Sequence, residues 1–91
     1  MKITRHLRIA GRVQGVGYRH ALRAEARASG ITGWVRNRRD GTVEAVVDGV
    51  PQDVEVIIAW AQRGPRGALV AGVEVSEVAG SFSGFARLPT E

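Results

Sequence analysis

Gly11-Arg12-Val13-Gln14-Gly15-Val16-Gly17-Tyr18-Arg19 joins two stretches of different period, and that junction decides the fold. Upstream, from Thr4 to Val13, the residues alternate. Arg5, Leu7, Ile9, Gly11 and Val13 fall on one side, and His6, Arg8, Ala10 and Arg12 on the other. Side chains leave a strand on opposite faces in turn, so this pattern is a half-buried strand. Downstream, Tyr18 to Ser29 is alanine-rich, lacks glycine and proline, and stops at Gly30, a natural C-terminal cap. That is a helix, with Tyr18, Ala21, Leu22 and Ala26 on its inner face. Glu25 falls near the same face and has no basic residue three or four positions away.

Further along, Gly33-Trp34-Val35-Arg36-Asn37 reads as a short strand. Arg38-Arg39-Asp40-Gly41 is a tight turn carrying the Asp-Gly hairpin signal. Thr42 to Asp48 alternates again, with Val43, Ala45 and Val47 on one face, until Gly49 breaks it. Pro51 suits a first helical position, and Asp53 and Glu55 sit near the positive helix start. Val54, Ile57, Ile58 and Ala61 form the apolar stripe of that second helix, which Arg63-Gly64-Pro65-Arg66-Gly67 ends. Trp60 lies off the stripe and is expected to be packed. Val73 and Val75 mark a fourth strand, and Phe82 to Leu88 a fifth after Gly80-Ser81.

Strand, helix, strand, strand, helix, strand, with one more strand at the end, predicts a ferredoxin-like α+β sandwich: two helices on one face of an antiparallel sheet. In this split arrangement the first two strands run parallel with the third between them, so both end at the same edge. The glycine turn after strand one and Asn37 at the end of strand two are therefore expected to be neighbours. No repeat or linker interrupts the chain, so residues 1–91 are expected to form one domain.

Composition narrows the function. A chain of 91 residues, 44% of them hydrophobic, supports one core and cannot hold separate cofactor and substrate domains. Without cysteine there is no disulfide, thiolate zinc site or thiol nucleophile. Met1 to His6 is slightly basic with no long apolar run behind it, which predicts neither a signal peptide nor a membrane span, and a cytoplasmic location. The net charge is +4, and all but one of the 13 basic residues are arginines. Guanidinium forks suit phosphate or carboxylate, although an arginine bias serves solubility equally well.

The glycine turn is the richest segment. Gly15 and Gly17 let successive amides point into one concavity, and the helix start at Tyr18 adds unpaired amides and a positive dipole end. Arg19 lies in that first turn, the unfavourable end for a cation, at a cost of about 0.3–1 kcal/mol. A bound anion relieves the conflict. Arg23 and Arg27 continue the stripe and read as a solvated basic face. Only two glycines of a dinucleotide fingerprint are present, and no Gly-Lys-Ser/Thr follows, so nucleotide-loop readings fall away. From its place alone, Asn37 serves equally as a turn-shaping residue or as a holder of water.

GRVQGVGYR (Gly11 to Arg19) resembles the first acylphosphatase signature, and GWVRNRRDGTVEAVVDG (Gly33 to Gly49) resembles the second, in order and at the expected separation. The similarity runs over nearly the whole chain, through Gly64-Pro65 to Phe85. It departs from the family at Ser29, at Gly67-Ala68-Leu69 and at Ala86-Arg87-Leu88-Pro89, which bears on core packing rather than chemistry. The resemblance implies hydrolysis of acyl phosphates without a cofactor, metal or phosphoenzyme. It implies that amides of Gly15, Val16, Gly17 and Tyr18 and the side chain of Arg19 hold the phosphate, and that Asn37 orients the attacking water.

The remaining side chains agree with that chemistry. Asp40, Asp48 and Asp53 are spread over a turn, a strand end and a helix start, which makes a clustered metal site unexpected. His6 sits far from the glycine turn and His20 just past the arginine; both read as ordinary surface or packed histidines. What remains is positioning and charge stabilisation, with no strong general acid. Such a site needs a leaving group that departs without a proton, and a carboxylate does so. The partner expected is therefore a small acyl phosphate, met by a monomer with no nucleic acid or membrane partner. Two alternatives stand. One is a non-catalytic or transfer module for acyl or carbamoyl phosphate. The other is an RNA-binding domain of the same fold, which would need aromatic platforms that the first and third strands lack.

Overall fold

A computed structural model describes residues 1–91. The elements are β1 (Ile3–Arg12), α1 (Tyr18–Ala28), β2 (Thr32–Asn37), β3 (Val43–Gly49), α2 (Pro51–Arg63), β4 (Leu69–Glu77) and β5 (Phe85–Arg87). The sheet order is β4-β1-β3-β2-β5. β3 is antiparallel to both β1 and β2, so those two strands point the same way and end at a common edge.

The helix-facing side of the sheet supplies Leu7 and Ile9 from β1, Val35 from β2 and Val43, Ala45 and Val47 from β3. Tyr18, Leu22 and Ala26 of α1 and Val54, Ile57 and Ala61 of α2 close over them. Ile58 and Trp60 pack at the margin, Trp60 with its ring centroid 5.5 Å from that of Tyr18. The expected helix stripes are thus the buried ones, and Glu25 is exposed, which resolves its lack of a partner. Gly33 is fixed by close approach: a Cβ there would lie 1.9 Å from the Val46 carbonyl oxygen.

The opposite face of the sheet is open and polar. Thr4 and Thr32 bond to Asp48, and Glu44 meets His6 at 2.6 Å and Arg36 at 2.7 Å. Burial works against ionised Glu44, yet the bonds from His6 and Arg36 outweigh it and hold the carboxyl below its usual pKa. The Arg36 guanidinium also lies 4.9 Å above the ring centre of Trp34.

Two strands differ from the sequence pattern. β4 is longer than the Val73–Val75 segment, because pairing along β1, from Leu69 opposite Arg12 to Glu77 opposite Arg5, sets its length. β5 is shorter than expected and runs parallel to β2. The chain leaves β4 opposite the start of β1, crosses to the other edge, and enters with Phe85 beside Gly33 at the start of β2. Its direction follows from that crossing, and the sheet is mixed.

Candidate active site

The loop after β1 and the end of β2 meet at one edge, as the topology requires. A cavity of about 230 Å³ opens there, lined by Val13, Gln14, Gly15, Gly17, Tyr18, Arg19, His20, Asn37 and Arg87. Gly15 and Gly17 both take left-handed backbone angles, with φ of 75° and 77°. Gly17 is also the N-cap of α1, so that helix starts without a side-chain cap and without an acidic residue in its first turn.

Unpaired donors follow directly from this local structure. The first N–H groups of a helix have no intrahelical acceptor, and here no side chain replaces it. The first helical bond runs from the Ala21 amide to the Gly17 carbonyl at 3.0 Å. Before it, the amides of Gly15, Val16, Gly17, Tyr18, Arg19 and His20 donate to no acceptor in the chain. A run of consecutive free amides at a positive helix end is chemically suited to cradle an anion.

Arg19 stands in the cradle wall, half-buried, with no carboxylate partner. Burial, and then the nearby charge of Arg87, lower its pKa. Tyr18 anchors the loop from below: its hydroxyl donates to the Ala61 carbonyl at 2.7 Å, and burial pushes the phenol pKa up. Gln14 clamps the loop sideways. Its amide nitrogen donates to the carbonyls of Arg38 at 2.7 Å and Thr42 at 2.9 Å, tying the cradle to the β2–β3 turn that follows Asn37. Asn37 is held in turn by its carbonyl, which accepts from the Glu91 amide at 3.0 Å.

Of the residues singled out from sequence, Gly15, Gly17, Tyr18, Arg19 and Asn37 line one cavity. Val16 does not; its side chain packs against the core and only its free amide belongs to the loop. His6 pairs with Glu44 on the open face, away from the site, whereas His20 is exposed and lines the cavity. The clamp role of Gln14 and the presence of Arg87 were not visible from residue patterns. The one signal for Arg87 was a charge interrupting the apolar closing strand.

An α+β sandwich with a free-amide loop, a guanidinium and a carboxamide around one pocket is the frame of a small phosphate-handling domain. The acylphosphatase family model matches residues 5–86. An acylphosphatase of Thiobacillus denitrificans is 52% identical over 84 residues, covering 92% of this chain and 94% of the relative. The solved structure of an acylphosphatase from Coxiella burnetii superposes with a TM-score of 0.92 at 32% identity, over 96% of this chain and 93% of that one. Full-length HypF in a phosphate- and nucleotide-bound form matches with a TM-score of 0.91 at 26% identity, but this chain covers only 12% of it. The chain belongs to the acylphosphatase family, and with it to the hydrolases of acid anhydrides.

Proposed function

We propose that the protein hydrolyses acyl phosphates to a carboxylate and inorganic phosphate by in-line attack of water on phosphorus, with Arg19 and Asn37 as its catalytic residues. The observation that carries the proposal is the unbroken run of free amides from Gly15 to His20, beside a cavity that Arg19 and, from the end of β2, Asn37 both line.

The cradle amides and the Arg19 fork bind the phosphate oxygens. Preorganised donors of this kind stabilise charge on the equatorial oxygens without reorganising during the reaction. Asn37, carrying both a donor and an acceptor, holds one water against the phosphorus; the phosphate itself accepts the proton as the bond forms. The mixed anhydride then breaks at its P–O bond. The departing carboxylate has a conjugate acid of pKa about 4, so it leaves as an anion. Two of the three aspartates that the sequence reading weighed together are engaged elsewhere, Asp40 with Arg8 and Thr42 and Asp48 with Thr4 and Thr32.

The substrate is a small molecule, and we take the protein to act as a cytoplasmic monomer without nucleic acid. The open sheet face supports the last point: its aromatic side chain, Trp34, is already covered by Arg36. No helix is long and apolar enough to cross a membrane. Hydrolysis of benzoyl phosphate in chelator, in water enriched in oxygen-18, tests the reaction. Label in the phosphate and negligible turnover of p-nitrophenyl phosphate are expected. Label in the benzoate, or activity abolished by chelator, would contradict the proposed route.

A further inference from the structure

We propose that Arg87 is a second phosphate-binding guanidinium, closing the pocket from the flank opposite the glycine turn. This rests on the reading that the pocket holds the substrate's phosphate at Arg19.

Three observations place Arg87 there. In the parallel register Phe85 lies beside Gly33 and Arg87 beside Val35. Phe85 and Val35 are buried on the helix-facing side, and strand alternation puts Arg87 and Asn37 on that same side. Arg87 accordingly lines the cavity with Arg19 and Asn37, across β2 from the cradle loop. The strand that carries it is fixed on both sides. Arg27 of α1 donates to the Phe85 carbonyl at 3.4 Å, and the Leu88 amide donates to the Val35 carbonyl at 2.8 Å.

Charge gives the placement a purpose. Several cations near this edge are paired, Arg8 with Asp40, Arg36 with Glu44 and Glu91, and Arg38 with Glu44, while Arg12 and Arg39 have no carboxylate partner and do not line the cavity. No carboxylate lines the cavity, and neither Arg19 nor Arg87 has an ion-pair or hydrogen-bond partner. After burial, the charge of Arg87 is what lowers the pKa of Arg19, so the two guanidiniums repel across the pocket. An acyl phosphate near neutral pH and the orthophosphate product each bring two negative charges or nearly so, and relieve that repulsion. Its three equatorial oxygens can then be covered from both flanks, by cradle and Arg19 on one and by Arg87 on the other.

The test compares wild type with Arg87→Met, Arg87→Lys and Arg19→Gln. KM, kcat and competitive inhibition by inorganic phosphate are measured with acetyl phosphate and with monosuccinyl phosphate, whose acyl group carries a carboxylate. Arg87→Met is expected to raise KM and the phosphate inhibition constant about tenfold for both substrates alike, the loss of one charge-assisted contact. Arg87→Lys recovers part of that loss, and the melting temperature without phosphate stays within a few degrees of wild type. Unchanged phosphate inhibition in Arg87→Met overturns the proposal. A loss confined to monosuccinyl phosphate also overturns it, by assigning Arg87 to the acyl group. If Arg19→Gln instead leaves phosphate inhibition intact, it is the underlying assignment of the pocket that fails.

Discussion

The Gln14 side-chain amide donates to the Arg38 carbonyl at 2.7 Å, so a residue of the cradle loop holds the turn that follows Asn37. The two halves of the site come from strands that are not adjacent, since β3 lies between them. Gln14 spans that gap, and its second bond, to Thr42, fixes the other side of the same turn.

Gln14→Ala removes both bonds while leaving every group that would touch substrate. A shift of about 1 Å between water and phosphate is enough to cost about a hundredfold in rate. We expect kcat/KM to fall by about ten- to a hundredfold, with a stability loss of about 1–2 kcal/mol from unpaired carbonyls. Steady-state kinetics and urea denaturation on the same samples check this; unchanged kinetics would remove the clamp from the mechanism.

Gly15→Ala separates binding from folding. No neighbouring atom would meet the new Cβ, so the cost is the left-handed backbone at φ 75°, about 1–2 kcal/mol. The loop escapes that strain by turning its amides, and affinity for inorganic phosphate falls while the protein stays folded. Gly33→Ala behaves oppositely, because its Cβ would collide with the Val46 carbonyl inside the sheet. Calorimetric titration with phosphate and thermal melts distinguish the two variants.

Tyr18→Phe keeps the main-chain amide and loses only the bond to the Ala61 carbonyl. A stability loss of about 1 kcal/mol is expected, with KM within about twofold of wild type. A large rise in KM would mean that the hydroxyl, not the backbone, serves the site.

Asp40 gives a pH signature. Bonds from the Thr42 hydroxyl and amide, and then Arg8 beside it, lower its pKa from 3.8 to about 2, against an opposing effect of desolvation. A carboxyl whose folded pKa is depressed stabilises the fold above its unfolded value and loses that contribution as pH falls toward the folded value. Asp40→Ala should therefore be less stable than wild type at pH 6, with the difference shrinking between about pH 4 and pH 2. Urea midpoints at pH 6, 4 and 2.5 check the trend, and a difference that grows on acidification would contradict it.

Most of the fold was written locally. Pro51 and Gly30 punctuate the helices where the structure starts and stops them, and period-two runs on β1 and β3 name the faces that are buried. β5 was readable as a strand within Phe82–Leu88, but not in its length or direction, which come from pairing with β2. The site divides along the same line. Arg19 and the glycine turn are contiguous in sequence, and Asn37 ends a strand whose partner the topology supplies. Arg87 enters the cavity only because β5 lies beside β2, and the contacts of Gln14 depend on a turn 24 residues away.

The most direct measurement separates the two catalytic roles in steady-state hydrolysis of benzoyl phosphate. Arg19→Gln should lose about 10³-fold or more in kcat/KM and also lose competitive inhibition by phosphate, and Arg19→Lys should restore little of either. Asn37→Ala should lose about 10²–10³-fold in kcat and still be inhibited by phosphate as wild type is. Near-normal turnover in either Asn37→Ala or Arg19→Gln, with the protein folded, would contradict a site in which one residue grips the phosphate and the other delivers the water.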